Sequence, residues 1–308
     1  MPNISFERPA RTAATPAATL GALLESIRPY QWVKNALVLV PLAAAHRLND
    51  PTLLSHAVRA FIAFSLCASS VYLLNDLWDA PADRLHPHKR ERPIASGRLP
   101  GGYAMVVAVL LLAAGIATAL PLGLRTTATL LTYFALMTGY SRRLKSIVLL
   151  DALVLGCGYA LRVVAGAFAV GILPSARLVG FCIFLFFSLA LLKRYAELAL
   201  LRLRDGPAAH TRAYLLEDQE FILVLGVSCG ALSALVLDLY LSSEAAARLY
   251  SHSGFILIDC VLLLYWVSHM WLIAHRGRMT DDPLVFALKD RVSLLLICLL
   301  YTSPSPRD

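Results

Sequence analysis

An all-α fold, a polytopic bundle of membrane-spanning helices, is what this sequence predicts, and three observations predict it. The composition is 58% hydrophobic and only 16% charged, with a mean hydropathy of +0.66 over 308 residues, far outside the usual soluble mix. Apolar stretches of about twenty residues, long enough to cross a bilayer, recur along the chain. Backbone groups in lipid have to be satisfied internally, so such stretches are helices rather than strands.

Nine spans are expected, at roughly 30–48, 54–75, 102–120, 123–140, 147–171, 176–200, 219–241, 254–275 and 285–302. They form one domain over 28–302, after an N-terminal segment 1–27 and before a tail 303–308, Ser-Pro-Ser-Pro-Arg-Asp, which is either native or an added scar. Lys and Arg orient the bundle. Five fall in 79–100, three in 141–146, five in 193–218 and four in 276–291, all after even-numbered spans. Loops after odd-numbered spans hold only Arg47, Arg125, Arg177 and Arg248. By the positive-inside rule the even loops and the N-terminus are cytoplasmic, in the plasma (inner) membrane. The net charge of +8 is then topology and phosphate ligation, with no nucleic acid as partner.

In chain order, residues 1–27 are Ala/Thr/Pro-rich without a signal-peptide core, disordered apart from a short interfacial helix near Leu20–Ile27. Arg28-Pro-Tyr-Gln-Trp-Val-Lys-Asn35 opens the first span. Tyr30 and Trp32 suit interface anchoring. Lys34 is either a snorkelling flank or a phosphate ligand facing inward.

The second span ends in the stretch that organises the chain, Leu74-Asn-Asp-Leu-Trp-Asp-Ala-Pro-Ala-Asp83. Helical spacing places Asn75, Asp79 and Asp83 on one face, with Asp76 a turn before Asp79. Converging oxygen ligands of this kind suit Mg²⁺, held by a few carboxylates with substrate phosphates and water. The basic residues that follow, Lys89 and Arg92 among them, suit the phosphates. Solvated charges at a helix end are the alternative, and the clustering argues against it.

Tyr140-Ser-Arg-Arg-Leu-Lys145 is a short loop at the depth of the acidic cluster. Asp151 and Arg162 share a face of the fifth span about three turns apart, too far to touch. Charges inside the membrane usually face a cavity, which places Arg162 in the site. The sixth span ends in Leu192-Lys-Arg-Tyr-Ala-Glu-Leu198. An i,i+4 pair between Lys193 and Glu197 is expected there, where Lys193 and Arg194 form a second, basic cluster. Residues 202–218 are a polar cytoplasmic segment, and Asp281-Asp-Pro283 reads as a helix cap. The six cysteines, at 67, 157, 182, 229, 260 and 298, lie in apolar spans without a CxxC pair, which indicates neither zinc nor disulfides.

Asn75-Asp-x-x-Asp79-x-x-x-Asp83 followed by Arg92-Pro-Ile-Ala-Ser-Gly97 resembles the first aspartate-rich motif and loop of the UbiA superfamily of intramembrane prenyltransferases. The resemblance implies a helical bundle around a central cavity open to the cytoplasmic side, Mg²⁺, and a diphosphate leaving group. Aromatic prenyltransferases of that superfamily carry a second DxxxD motif, where this chain has Lys193-Arg-Tyr-Ala-Glu197. With QWVKN at 31–35, YSRRLK at 140–145 and ALRVVAGA at 160–167, the chain is similar to the decaprenyl-phosphate phosphoribosyltransferase branch. That branch implies phosphoribosyl diphosphate as donor, a polyprenyl phosphate lipid as acceptor, and a role in making cell-envelope arabinose precursors. The roles it suggests are Asp79, Asp83, Lys34 and Lys145 as catalytic, Asn75, Asp76, Asp79 and Asp83 on the metal, and Lys89, Arg92, Tyr140, Arg162, Lys193 and Arg194 on substrate. An oligomer is compatible with all of this. The alternatives are prenyl transfer to an aromatic acceptor such as 4-hydroxybenzoate, disfavoured by the basic 193–197 cluster, and a transporter, which would not require the NDxxDxxxD spacing. A CDP-alcohol phosphotransferase would carry DGxxAR, which is absent.

Overall fold

Helices account for every regular element in the computed structural model, which describes residues 16–202, 214–242, 256–279 and 282–302. Helix α1 (Pro16–Ile27) covers the short helix expected at Leu20–Ile27. A 3-10 segment (Pro29–Leu39) leads into α2 (Val40–Ala44). The long helices follow: α3 (Pro51–Asp83), α4 (Gly101–Ala119), α5 (Leu124–Arg142), α6 (Leu150–Ala169), α7 (Ala176–Arg202), α8 (Asp218–Leu241) and α9 (Ile256–His275). The short helices α10 (Pro283–Ala287) and α11 (Arg291–Thr302) are the last among the described residues. The tail 303–308, residues 203–213 of the expected polar segment, and Asp281 lie outside the described residues.

Six helices among the described residues are long and apolar enough to cross a membrane, so the chain is a multi-pass helical bundle. The expected count of nine is not confirmed: among the described residues three of the expected stretches are not single helices of that length and apolarity. Residues 30–48 form a 3-10 segment and a short helix rather than one span. Helix α5 carries Thr126, Thr127, Thr129 and Thr132, whose hydroxyls donate to carbonyls four residues back, and these lower its apolarity. The stretch 285–302 breaks at Asp290, whose carboxylate accepts from the Ser293 N–H at 2.8 Å and starts a new helix.

Helix α3 shows how sequence sets the site. Asp50 caps it by accepting from the Thr52 and Leu53 N–H groups at 3.0 and 3.1 Å, with Pro51 at the first helical position, the usual N-terminal signature. The helix then runs 33 residues, about 50 Å, well beyond the roughly 30 Å of hydrocarbon. The acidic motif rides on this overhang and stays helical through Asp83. That preserves the i, i+4, i+8 face.

Helix α6 sits between two cores. Its Val154 and Ala165 belong to the cluster that holds Phe64, Cys67 and Tyr133, while Ala152 and Val163 belong to the one that holds Leu189, Leu191 and Trp271. Small residues let neighbours approach it closely. A Cβ on Gly156 would stand 2.9 Å from the Phe187 nitrogen, and one on Gly166 only 2.0 Å from the Val38 carbonyl oxygen. The second approach seats the 3-10 segment, with Lys34 and Asn35, against α6.

Candidate active site

A cavity of about 590 Å³ opens between α3, α5, α6, α7 and the 3-10 segment. Eleven of the twelve residues expected from sequence line it: Lys34, Asn75, Asp79, Asp83, Lys89, Arg92, Tyr140, Lys145, Arg162, Lys193 and Arg194. Eight cationic side chains and two carboxylates make up its charged lining, so its field favours polyanions.

The carboxylate end comes from the α3 overhang. Asn75, Asp79 and Asp83 face inward as the helical spacing requires. Both oxygens of Asp79 accept from Lys145 Nζ, at 2.6 and 2.8 Å. Arg92 Nη1 donates to Asp83 Oδ2 at 2.8 Å and lies 3.4 Å from Asp76 Oδ1. Asp76 is not part of the lining. It is 3% exposed, and both its oxygens accept from Arg28 Nη2, at 2.6 and 2.9 Å. Its place is behind the wall, holding Arg28 and Arg92.

The other end is cationic. Lys34 and Lys193 both donate to Asp282 Oδ2, at 2.8 and 3.2 Å, while Asp282 Oδ1 faces the Leu284 N–H at the start of α10. The cap expected at Asp281-Asp-Pro283 is therefore present, and the same carboxylate serves the site. Burial pushes the Asp282 carboxyl up, but the two ammoniums outweigh it and hold it below the ordinary carboxylate value. Glu197 does not pair with Lys193 as expected; it pairs with Arg194, one residue nearer. Arg194 also donates to the fully buried Asp151 at 2.7 Å and reaches Tyr140 Oη at 3.4 Å. Asp151 in turn accepts from the Tyr214 hydroxyl. Burial and that contact push the Tyr214 phenol well above its ordinary value.

Arg162 and Asp151 do not meet, as three turns dictate. Arg162 is 5% exposed and bonds only neutral groups among its recorded partners: Asn35 Oδ1 at 2.7 Å, the Gly158 carbonyl at 2.8 Å and the Tyr133 hydroxyl at 2.8 Å. The Tyr133 and Tyr159 rings lie 4.6 and 5.4 Å from its guanidinium carbon.

Sequence reasoning missed Arg28, Tyr72, Tyr133, Tyr159 and Asp282. Tyr72 lies one turn before Asn75, Tyr133 shares a stripe with Met137 and Tyr140, and Tyr159 precedes Arg162 by three, so helical spacing carried a signal for the tyrosines. Asp282 reaches Lys34 across 248 residues, and nothing local announces that.

The residues fit a divalent cation shared with substrate better than a protein-only cage. Among the described residues no group of three or more Asp, Glu, His or Cys is placed to hold a metal by itself. Two carboxylates and an amide on one cavity-facing helix are the donor set Mg²⁺ takes when phosphates and water complete its shell.

The family model described as the UbiA prenyltransferase family matches residues 36–286. The decaprenyl-phosphate phosphoribosyltransferase of Mycobacterium tuberculosis is 35% identical over 292 residues, 91% of this chain and 92% of that protein. The nodulation protein NoeC of Azorhizobium caulinodans is 36% identical over 273 residues, 89% of each chain. The uncharacterized protein y4nM of Sinorhizobium fredii is 33% identical over 97% of this chain, which spans 60% of that protein's length. A UbiA homologue from Archaeoglobus fulgidus bound to GPP and Mg²⁺ superposes with a TM-score of 0.70 over 92% of this chain and 99% of its own, at 18% identity. That is a likeness of fold.

Proposed function

The chain belongs to the UbiA prenyltransferase family, and on that premise we propose that it transfers the phosphoribosyl group of phosphoribosyl diphosphate to a polyprenyl phosphate, releasing diphosphate. The observation that carries the reading is the asymmetry of the cavity: its lining carboxylates, Asp79 and Asp83, stand at one end only, and at the other lysines and arginines occupy the place where an acidic pair would serve a different donor and acceptor. The name of the Mycobacterium tuberculosis relative, decaprenyl-phosphate phosphoribosyltransferase, supports it.

In this reading the bond from the ribose anomeric carbon to the diphosphate oxygen breaks, and its electron pair leaves with diphosphate. An oxygen of the acceptor phosphate forms the new bond to that carbon. The acceptor is already anionic at neutral pH, so no general base is required. Asn75, Asp79 and Asp83 would hold Mg²⁺, which when bound supplies Lewis-acid charge stabilisation to the leaving group. Lys145 and Arg92, paired with those carboxylates here, then turn to the diphosphate as donors, joined by Lys89. Asp76 keeps Arg28 and Arg92 in place from behind. Lys193 and Lys34 receive the acceptor's phosphate, Arg162 adds a buried positive charge to the same cavity, and Arg194 fixes the wall through Asp151, Glu197 and Tyr140. The cavity faces the cytoplasm in this reading, where a water-soluble donor arrives.

The test is incubation of the purified chain with labelled phosphoribosyl diphosphate and a polyprenyl phosphate, with and without Mg²⁺. A parallel arm supplies a prenyl diphosphate and 4-hydroxybenzoate. Mg²⁺-dependent label in lipid is expected. Product only in the parallel arm would return the chain to ordinary prenyl transfer.

A further inference from the structure

Asp282 is absent from the cavity lining, yet one of its oxygens holds two lysines that are in it. A helix cap needs a single oxygen, and Oδ1 supplies that at Leu284. The remaining oxygen and the full negative charge act on Lys34 and Lys193, which arrive from separate segments packed against α10. Because both bond the same atom, their ammonium nitrogens lie no more than about 6 Å apart, a separation that the oxygens of one phosphoryl group span with ordinary hydrogen bonds. Two ammoniums answered by one carboxylate leave that pair a single net positive charge, to which Arg162, bonded to Asn35 beside Lys34, adds its own from deeper in the cavity. Arg194, the nearest other cation on α7, is already answered by Asp151 and Glu197.

We infer that Asp282 is a specificity-determining residue: by cancelling one of the two ammonium charges it fits the Lys34–Lys193 pair to a phosphate monoester and against a diphosphate. This rests on the reading that the acceptor is a phosphate monoester while the donor and by-product carry diphosphate. A cavity cationic throughout would let diphosphate occupy both ends and exclude the acceptor. A fixed carboxylate behind the second end repels the more highly charged anion more strongly, which is discrimination by an unfavourable contact.

The test measures binding and no transfer, so it stands apart from failure of the phosphoribosyl assay. The full chain in nanodiscs, in EDTA, is titrated calorimetrically with inorganic diphosphate and separately with inorganic phosphate. Asp282→Asn keeps an oxygen for the Leu284 cap and removes the charge. It is expected to tighten diphosphate binding by on the order of tenfold to a hundredfold, the range of one charge-assisted contact, with a smaller gain for phosphate. Replacing Lys34 and Lys193 by Met in the Asp282→Asn background should abolish the gain. Asp282→Ser, neutral and also a good helix cap, carries the same expectation where the Asn variant folds poorly. Unchanged diphosphate affinity in a neutral variant of wild-type melting temperature overturns the inference, as does a gain that survives loss of both lysines.

Discussion

Replacing Asp79 by Asn separates a functional role from a structural one, because the structure makes the two costs very different. The Asp79–Lys145 pair is partly wet, with 28% and 23% of the side chains exposed. An ion pair in that setting contributes up to about 1 kcal/mol, so its loss should lower the melting temperature by only about 2–4 °C. The amide keeps the shape and loses the charge that a divalent cation needs. One lost charge-assisted contact is worth about 1.5–3 kcal/mol, a tenfold to hundredfold weaker Mg²⁺ requirement curve. Turnover should fall at least as far, since the same cation stabilises the departing diphosphate. The assay is initial rate against Mg²⁺ concentration, with melting temperature recorded on the same preparation. Asp83→Asn should behave alike in rate but cost more stability, its side chain being only 6% exposed against Arg92. Wild-type turnover in either variant, or wild-type turnover in EDTA, refutes the metal role. A melting temperature that collapses along with the rate would make Asp79 a packing residue.

Two neighbouring cations should respond differently. Lys193→Ala is expected to raise the KM for polyprenyl phosphate roughly tenfold to a hundredfold at little cost in stability, whereas Arg194→Ala strands the fully buried Asp151 and should cost about 3–5 kcal/mol; kinetics and thermal melts on both variants check this. Gly166→Ala puts a Cβ where only 2.0 Å separates it from the Val38 carbonyl oxygen, so the 3-10 segment must shift; activity should drop by more than tenfold from displacement of Lys34 and Asn35, a 1 Å misplacement being enough for such a loss, and wild-type kinetics would mean that the segment is mobile.

What the sequence made legible was whatever a single helix decides. Apolar length gave the bundle, and the i, i+4, i+8 rule gave the inward face of Asn75, Asp79 and Asp83, because α3 continues unbroken through them. The rule could not distinguish Asp76 facing inward from Asp76 facing the loop; Arg28, 48 residues upstream, decides that. Glu197 shows the same limit. Spacing favoured Lys193, but Asp282 captures that lysine from a distant segment and leaves Glu197 to Arg194. Six of the nine expected spans are matched by helices long and apolar enough among the described residues; the other three fall where local chemistry interrupts hydrophobic length: threonines in α5, Asp290 before α11, and a 3-10 segment pressed against Gly166. Partners far apart in sequence explain nearly all of the rest.

Arg162 presents the sharpest contrast between stability and binding. Its charge is buried at 5% exposure, and its recorded partners, Asn35, Gly158 and Tyr133, are neutral. A buried charge without a counter-charge is costly, and replacing such a group by an apolar one of similar size is often neutral or stabilising. Arg162→Met would relieve that cost while leaving Asn35 Oδ1 without its donor, a loss of about 1–3 kcal/mol. The two effects oppose, so the melting temperature should move by only a few degrees. Binding should not be spared. If an incoming phosphate is the missing counter-charge, the Met variant loses on the order of tenfold to a hundredfold in affinity for one of the two substrates, and Arg162→Lys, which keeps the charge but not the fork, recovers part of it. Separate titrations with phosphoribosyl diphosphate and with a polyprenyl phosphate identify which. Unchanged affinity for both would leave the guanidinium as a brace between Asn35 and Tyr133, and a large fall in melting temperature rescued by Lys would say the same.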